Sequence, residues 1–180
     1  QVHMIIQKHK IVFAGSMGSG KTEAIKSLSD ISVLSTEAYN TDEQSHKKMQ
    51  TTVGIDYGEI TLEDDIKIGL YGTPGQDRFN FMWGVISQGA IGAIILVDHT
   101  LKDPIEDLEY YIDFFKAHTD NIIIGITHTD ANLDKSTHIY RKWLMDKKQN
   151  YPLFFIDARK KMDVLLLIEA LITKLEIEHM

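Results

Sequence analysis

Residues 15–22 read Gly15-Ser16-Met17-Gly18-Ser19-Gly20-Lys21-Thr22. This is the complete spacing G-x-x-x-x-G-K-[ST], and it directly follows a short apolar run at 10–14. Three glycines let the backbone curve so tightly that successive N–H groups point inward, and a helix starting at residue 21 adds its positive end. The stretch therefore predicts a strand, a phosphate-binding loop and a helix, in that order.

The side chains of this loop predict how a nucleotide is held. Lys21 supplies a point charge for the β- and γ-phosphates, and the Thr22 hydroxyl is placed to ligate Mg²⁺. The backbone that surrounds the phosphates is expected to come from Gly15, Ser16, Gly18, Ser19 and Gly20. A glycine-rich turn without a ligand is the alternative interpretation, but the complete motif and its strand-to-helix context favour phosphate binding.

Short β-branched apolar runs alternate along the chain with segments of helical spacing, which is typical of an α/β domain with helices on both faces of the sheet. Six strands are expected, at 10–14, 54–61, 66–71, 91–97, 121–127 and 152–156. Only four residues separate the second strand from the third, too few for a crossover helix, so these two should pair antiparallel. The sheet is therefore expected to be mostly parallel with one hairpin strand.

About five helices are expected, at 21–28, 78–88, 104–118, 136–148 and 161–178. In the last of them, apolar residues recur at three- and four-residue steps and predict a stripe against the sheet. These residues are Leu165, Ile168, Ile172 and Leu175. The segment 31–50 is polar and has no sustained periodicity, so we expect a long loop there.

Length and composition are those of one domain. With 180 residues and 43% hydrophobic content, the chain can bury a full core. We expect a single domain over residues 4–180. Residues 1–3, which precede Met4, look like a cloning remnant and are left out of the fold prediction.

Charge and cysteine content exclude several classes of function. A formal net charge of -7 disfavours nucleic acid as the main partner, because the phosphate backbone is repelled. The absence of cysteine excludes disulfides, thiolate metal sites and prenyl or palmitoyl attachment. No apolar run approaches the length of a membrane span, so no membrane anchor is expected and a cytoplasmic location fits.

Four further segments follow the phosphate loop in a characteristic order. They read Thr51-Thr52-Val53-Gly54-Ile55-Asp56, Leu70-Tyr71-Gly72-Thr73-Pro74-Gly75-Gln76-Asp77-Arg78-Phe79, Thr127-His128-Thr129-Asp130 and Asp157-Ala158-Arg159. In that order they resemble switch I, the D-T-A-G-Q-E-R-F of switch II, the N-K-x-D motif and the S-A-K motif of the Ras, Rab and Arf small GTPases. The Thr-Pro-Gly-Gln sequence and the altered base motif are most similar to the bacterial Ras-like GTPases related to MglA.

The resemblance covers nearly the whole chain from Met4 and implies a three-layer G domain that acts as a GTP/GDP switch. Thr52 would ligate Mg²⁺ and contact the γ-phosphate, so that segment 31–50 becomes ordered with GTP. The backbone N–H of Gly75 would meet the γ-phosphate, and Gln76 would orient the attacking water.

The same resemblance implies how the base is read. Asp130 would accept two hydrogen bonds from the guanine edge, where adenine presents an acceptor. Thr127 and His128 replace the usual asparagine and lysine, and His128 can stack on the base instead. The backbone N–H of Ala158 would contact the base oxygen, and Arg159 stands at the lysine of S-A-K.

Two departures from the family pattern bear on turnover. Gly72 stands where most small GTPases carry the Mg²⁺-associated aspartate, so metal affinity is expected to be lowered; MglA-like proteins also depart there. The chain has three arginines, Arg78, Arg141 and Arg159, and none lies in segment 31–50. Without a built-in arginine finger, intrinsic hydrolysis is expected to be slow, on the order of 10⁻³ s⁻¹ or below. The resemblance implies stimulation by a roadblock-type activating protein, with an effector that the sequence does not reveal.

Two other functions stay open at this point. A non-hydrolysing nucleotide-binding scaffold is favoured by Gly72 and disfavoured by Gln76. A small-molecule P-loop kinase that uses ATP is disfavoured because such kinases commonly need several arginines on a mobile lid.

Overall fold

The computed structural model describes residues 8–40, 51–75, 80–148 and 150–179. Within these ranges the chain forms seven strands and five α-helices. The strands are β1 (Lys8–Ala14), β2 (Leu34–Asn40), β3 (Thr51–Thr61), β4 (Lys67–Gly72), β5 (Gly92–Asp98), β6 (Ile122–Thr127) and β7 (Leu153–Phe155). The helices are α1 (Lys21–Leu28), α2 (Asn80–Ser87), α3 (Pro104–Phe115), α4 (His138–Lys147) and α5 (Lys161–Glu178).

The strands form one mixed sheet in the order β2-β3-β4-β1-β5-β6-β7. Among the described strands, β3 alone runs in the opposite direction to the others, and it pairs antiparallel with both β2 and β4. The remaining pairs, β4-β1, β1-β5, β5-β6 and β6-β7, are parallel. The expected α/β class, the mostly parallel sheet and the hairpin are confirmed.

Strand β2 is the part of the sheet that the sequence did not predict. It lies inside segment 31–50, where we expected a loop, and it makes the described sheet seven-stranded rather than six-stranded. β2 is an edge strand, and edge strands commonly carry polar residues. Its sequence includes Ser35, Thr36 and Glu37, so it lacks the apolar run that marks a buried strand. The rest of that segment, 41–50, lies outside the described residues.

Two apolar clusters lie on opposite faces of the sheet because successive strand residues point to opposite sides. In β1, Ile11 and Phe13 join the cluster under α1 and α5, while Val12 and Ala14 join the cluster under α2, α3 and α4. The side chains of the central strand β5 from 92 to 97 are fully enclosed, as expected for a strand covered on both faces.

Helix α5 packs on the sheet as predicted, although its most buried residues lie slightly off the expected stripe. Its fully buried positions are Val164, Leu167, Ile168 and Leu171. Of the predicted stripe, Ile168 is fully buried, and Leu165, Ile172 and Leu175 are partly buried at its border. No helix in the described part of the chain is both long and apolar enough to cross a bilayer.

The fold gathers the sequence motifs at one edge of the sheet. The parallel strands β1, β4, β5 and β6 all end on the same side, and loops 15–20, 73–75 and 128–130 follow three of them. In open α/β sheets this carboxyl edge is where ligands bind.

Candidate nucleotide-binding site

The glycines of the phosphate loop are required by its backbone. Gly15 and Gly20 have φ angles of 148° and 106°, a region that favours glycine. A Cβ at Gly15 would lie 2.4 Å from the Leu96 carbonyl oxygen, and one at Gly20 would lie 2.9 Å from the Ala158 Cβ. The curve of the loop, and the start of α1 directly after it, therefore depend on these positions.

Lys21 lies buried inside this curve. Its ammonium donates a hydrogen bond of 2.9 Å to the Ser16 carbonyl oxygen and another to the Gly15 carbonyl oxygen. Burial lowers the pKa of Lys21 to about 8, while Asp107 and Asp56 act in the opposite direction. An enclosed ammonium whose described hydrogen bonds go to carbonyl oxygens is a fitting partner for a phosphate anion.

A hollow of about 400 Å³ opens in front of the loop. Its walls come from the phosphate loop, β3 and the segment after β4: Met17, Gly18, Gly20, Lys21, Thr22, Glu23, Gly54, Asp56, Thr73, Pro74, Gly75 and His128. We call it the phosphate hollow. Its shape and the backbone cradle at its base fit a polyphosphate.

Gly75 closes one side of the phosphate hollow. A Cβ at this position would lie 2.7 Å from the Met17 backbone nitrogen, so only glycine allows this approach. The preceding residues are held by hydrogen bonds of 2.9 Å each, from the Thr73 N–H to the Phe13 carbonyl and from the Trp83 indole N–H to the Pro74 carbonyl. Gln76, expected to be catalytic, lies outside the described residues together with 77–79.

Asp56 is a site residue that sequence reasoning missed. The Thr22 hydroxyl donates to one of its carboxylate oxygens at 2.5 Å, and the Ser35 hydroxyl donates to the other at 3.0 Å. Asp56 on β3 is the register partner of Gly72 on β4. A Cβ at Gly72 would lie 3.4 Å from the Asp56 Cβ, so the Asp56 side chain fills the space beside the position of the missing aspartate.

The oxygen atoms beside Lys21 suit Mg²⁺. Thr22, Asp56 and Ser35 offer two hydroxyls and a carboxylate, and Mg²⁺ takes one or two such protein oxygens together with phosphate oxygens and water. Thr52, expected to be a metal ligand, lies in β3 opposite Tyr39, and only its backbone is among the described parts of the structure. Among the described residues, no group of three or more histidines, cysteines and acidic residues is arranged to hold a metal by itself.

A second hollow, of about 280 Å³, adjoins the first and shares three of its lining residues. It is lined by Gly20, Glu23, Thr127, His128, Asp130, Ala131, Asp157, Ala158 and Arg159. We call it the base hollow, since the structure brings the two predicted base motifs together around it. The two hollows adjoin each other at Gly20, Glu23 and His128, which line both.

Thr127 and His128 brace the base hollow against the phosphate loop. The buried Thr127 hydroxyl lies 2.8 Å from the Ser19 carbonyl oxygen and 3.2 Å from that of Val97. The His128 Nε2 lies 2.9 Å from the Gly18 carbonyl oxygen, and the residue has a φ of 60°. The His128 ring reaches the phosphate loop and also lines the base hollow, and stacking of this ring on a base stays a prediction. Thr127 and His128 therefore both connect the base loop to the phosphate loop.

Asp130 and Arg159 meet at the rim of the base hollow. The Arg159 guanidinium donates to both carboxylate oxygens of Asp157, at 2.9 and 2.8 Å, and lies 3.8 Å from the Asp130 carboxylate. These hydrogen bonds lower the pKa of Asp157 below its usual range. The Asp130 side chain is 75% exposed, which leaves its oxygens open to a ligand.

A buried polar network supports the base loop from behind. The backbone N–H of His99 donates to the Thr127 carbonyl at 3.0 Å, and the Nδ1 atom of its ring lies 2.6 Å from the Tyr140 hydroxyl. The Lys135 ammonium donates to the His99 carbonyl at 2.7 Å. Because His99 is completely enclosed, this network fixes where β6 ends and the base loop begins.

Comparison with known proteins places the chain in a family. A protein-family model described as "Conserved hypothetical ATP binding protein" matches residues 32–150, which is more than half of the chain. The chain belongs to this family. The matched region begins after the phosphate loop and extends from β2 past the end of α4.

The chain is also similar to Ras-related Rab proteins of plants. It is 26% identical to Ras-related protein RABA1b of Arabidopsis thaliana over 128 residues, which cover 69% of this chain and 54% of that protein. It is 23% identical to Ras-related protein RABA1h of the same plant and 25% identical to Ras-related protein Rab11C of Nicotiana tabacum, each over 153 residues and 83% of this chain. The chain spans 65% and 64% of the length of these two relatives.

Proposed function

We propose that this protein is a small GTPase of the Ras-like type, a switch between GTP- and GDP-bound states formed by a single domain over residues 4–180. Its motif pattern resembles the bacterial MglA-related group, and we propose that it acts in the cytoplasm. The observation that carries the proposal is the placement of Asp130. Its exposed carboxylate lines the base hollow, which adjoins the phosphate hollow around Lys21.

The carboxylate of Asp130 favours guanine over adenine. Guanine presents two N–H donors on the edge that would meet a carboxylate, whereas adenine presents an acceptor there, and this mismatch would leave the carboxylate unpaired where the bound base covers it. The family description names ATP, and the matched region includes Thr127 to Asp130 but not Ala158 or the phosphate loop. The chemistry of a carboxylate at position 130 nevertheless fits guanine and not adenine. We therefore infer the base from Asp130 and not from the family description.

We propose that Asp56 takes over the role of the aspartate missing at position 72. Thr22 and Asp56 would hold Mg²⁺, with Thr52 joining them in the GTP-bound state. When bound, the metal neutralises charge on the β- and γ-phosphates. Asp56 also accepts the hydrogen bond that orients the Thr22 hydroxyl, and such hydrogen bonds commonly fix the orientation of a metal ligand.

For hydrolysis, the protein would act mainly by positioning the phosphates and the attacking water, and not by forming a covalent bond to the nucleotide. Lys21 balances the charge on the phosphates, the Gly75 N–H contacts the γ-phosphate, and Gln76 orients the attacking water. Among the described residues, no arginine lines the phosphate hollow. Intrinsic turnover is therefore expected to be on the order of 10⁻³ s⁻¹ or below, and a roadblock-type partner is proposed to stimulate it by repositioning Gln76 or Arg78.

Calorimetry on nucleotide-stripped protein with Mg²⁺ tests the nucleotide specificity. GTP and GDP are expected to bind about 100-fold more tightly than ATP or ADP. Asp130→Ala should abolish this preference. The matched control is Asp134→Ala, on the same loop and exposed, which should keep it. ATP binding as tightly as GTP contradicts the proposal.

Single-turnover phosphate release separates the switch from a non-hydrolysing scaffold. The switch predicts slow release with Mg²⁺ and acceleration by a roadblock-type protein. A protein that binds GTP but releases no phosphate under either condition is the scaffold that Gly72 suggests. Unassisted hydrolysis above about 10⁻¹ s⁻¹ contradicts the need for a partner.

A further inference from the structure

Positive charge is concentrated in one part of this acidic chain. Residues 135–161 contain eight lysines and arginines and two acidic residues, whereas the rest of the chain contains eleven lysines and arginines and twenty-four acidic residues. This segment forms α4, β7 and the start of α5, at the end of the sheet order. Lys135 and Arg159 of this segment lie at the base loop, whereas Arg141 and Lys148 lie beside β7 and make this edge basic on a protein whose net charge is negative.

A groove runs along this edge between α4 and β7. A hollow of about 230 Å³ and a shallower one of about 620 Å³ lie along α4 and share Leu144. We call them together the α4–β7 groove; it is lined by His138, Arg141, Leu144, Lys148, Leu153 and Phe155. It has an apolar floor and a basic rim.

The basic rim is available to a partner. Arg141 and Lys148 are exposed, and neither forms an ion pair within the described part of the chain. Arg141 lies on α4 and Lys148 is the residue that caps its C-terminal end, and each lines one of the two hollows of the groove. The neighbouring Lys147 is instead paired with Glu109 at 3.1 Å and belongs to the contact between α4 and α3.

The wall opposite α4 is a strand edge with which no strand in the described part of the chain pairs. The Pro152 carbonyl accepts from the Ile124 N–H, and the Ile156 N–H donates to the Ile126 carbonyl, each at 2.9 Å. Because alternate residues of a strand face opposite neighbours, the backbone groups of Leu153 and Phe155 point away from β6. β7 ends the sheet, and the Phe155 side chain is 50% exposed.

We propose that the α4–β7 groove binds an extended acidic segment of a partner protein, which pairs with β7 as an additional strand and places alternate carboxylates against Arg141 and Lys148. Backbone pairing with the edge supplies affinity, and side-chain contacts supply specificity. Charge complementarity selects an acidic chain. A flat bilayer does not fill a groove, and a nucleic acid has no amide backbone to pair with β7. The groove has no lining residue in common with the phosphate and base hollows, so the proposal is independent of the nucleotide.

The test uses a displayed library of random twelve-residue peptides, selected on the purified full chain. Enriched peptides should carry acidic residues that alternate with apolar ones. Synthetic copies should bind more weakly, by about tenfold or more, to Arg141→Glu/Lys148→Glu. The matched control is Lys67→Glu/Lys102→Glu, which makes the same charge change at exposed sites away from the groove and should bind normally. Bound peptide should slow amide hydrogen exchange at 153 and 155.

Several results overturn the proposal. One is that the selection enriches no peptides beyond those obtained on the Arg141→Glu/Lys148→Glu variant, and another is that the enriched peptides carry no excess of acidic residues. A third is that the control variant weakens peptide binding as much as the groove variant does. The last is that amide hydrogen exchange at 153 and 155 is the same with and without peptide. Vesicles containing phosphatidylserine, and single-stranded oligouridine, are tested in parallel. If one of these binds through Arg141 and Lys148 and no peptide does, the surface is for a membrane or a nucleic acid instead. Circular dichroism of both double variants separates loss of binding from loss of fold.

Discussion

Asp56 and Gly72 face each other across β3 and β4, and the Asp56 carboxylate accepts a hydrogen bond from Thr22 at the phosphate loop. This contact is the basis of the proposal that Asp56 supplies the carboxylate that most small GTPases carry at position 72. A Cβ at Gly72 would lie 3.8 Å from a carboxylate oxygen of Asp56, so side chains at the two positions would lie in the same region of the site.

Replacing Asp56 by asparagine should weaken Mg²⁺-dependent nucleotide binding. The amide keeps the shape but loses the charge that favours the cation, and changes to such metal-supporting groups typically reduce affinity about 10- to 100-fold. Mg²⁺ titration of the dissociation rate of a fluorescent GDP analogue measures this. Glu63→Gln, an exposed change in the turn after β3, serves as control and should leave the titration unchanged. An unaltered titration in the Asp56 variant would remove it from the metal site.

Restoring an aspartate at position 72 should not improve the site. A side chain there meets the Ile25 Cδ1 at 3.0 Å and places a second carboxylate beside Asp56, so the free energy of unfolding should fall by about 1–3 kcal/mol. Urea unfolding measures the loss. In the Asp56→Asn background, Gly72→Asp should instead recover part of the Mg²⁺ affinity, because the like charge is gone. If the effects of the two substitutions on Mg²⁺ affinity are simply additive, carboxylates at positions 56 and 72 do not serve the same metal site.

The parts of the fold that local signals determine could be predicted from the sequence. The phosphate motif between an apolar run and a helical pattern gave α1 with its observed bounds, and α5 is also observed over the predicted residues. β2 could not be found in the same way. Its residues are polar, and it forms a strand because β3 offers a pairing edge from Leu34 opposite Tyr57 to Asn40 opposite Thr51.

The candidate site divides along the same line. Lys21 and Thr22 were placed by spacing within one loop, and the structure puts them at the phosphate hollow. Asp56 was missed because its position beside Thr22 depends on the register between β3 and β4. The contact of His128 with Gly18 joins residues 110 positions apart, so nothing in the local sequence indicates it.

Nucleotide affinity should decrease as the pH rises above 8. The pKa of Lys21 is lowered to about 8 by burial in the nucleotide-free site, and bound phosphates favour its charged form and raise that pKa again. Binding therefore takes up a proton above pH 8, and the dissociation constant should rise by up to about tenfold per pH unit there. Calorimetry at pH 7 to 9.5, in buffers of different ionisation enthalpy, measures both effects. Lys21→Gln should bind weakly at every pH, and a wild-type affinity that stays constant across this range argues against the mechanism.

Thr127→Val should loosen the connection between the base loop and the phosphate loop. Valine has nearly the same shape but leaves the buried Ser19 carbonyl without its hydroxyl donor, which should lower the free energy of unfolding by about 1–3 kcal/mol. Nucleotide release should become faster, since we propose that the two loops hold opposite ends of the ligand. Urea unfolding and release kinetics measure these effects, with Thr127→Ser as the variant that keeps the hydroxyl. If valine and serine behave alike in both assays, the hydrogen bond does not connect the loops.

Trp83 should report the nucleotide state by its fluorescence. Its enclosed indole donates to the Pro74 carbonyl, next to Gly75, so a change of Gly75 on contact with the γ-phosphate should alter the surroundings of the ring. The second tryptophan, Trp143, is bonded to Glu109 on the contact between α4 and α3. In Trp143→Phe the emission should therefore differ between the GDP form and a form with a non-hydrolysable GTP analogue, whereas in Trp83→Phe it should stay the same. A nucleotide-dependent signal from Trp143 alone would mean that the change of state does not pass through Pro74 and Gly75.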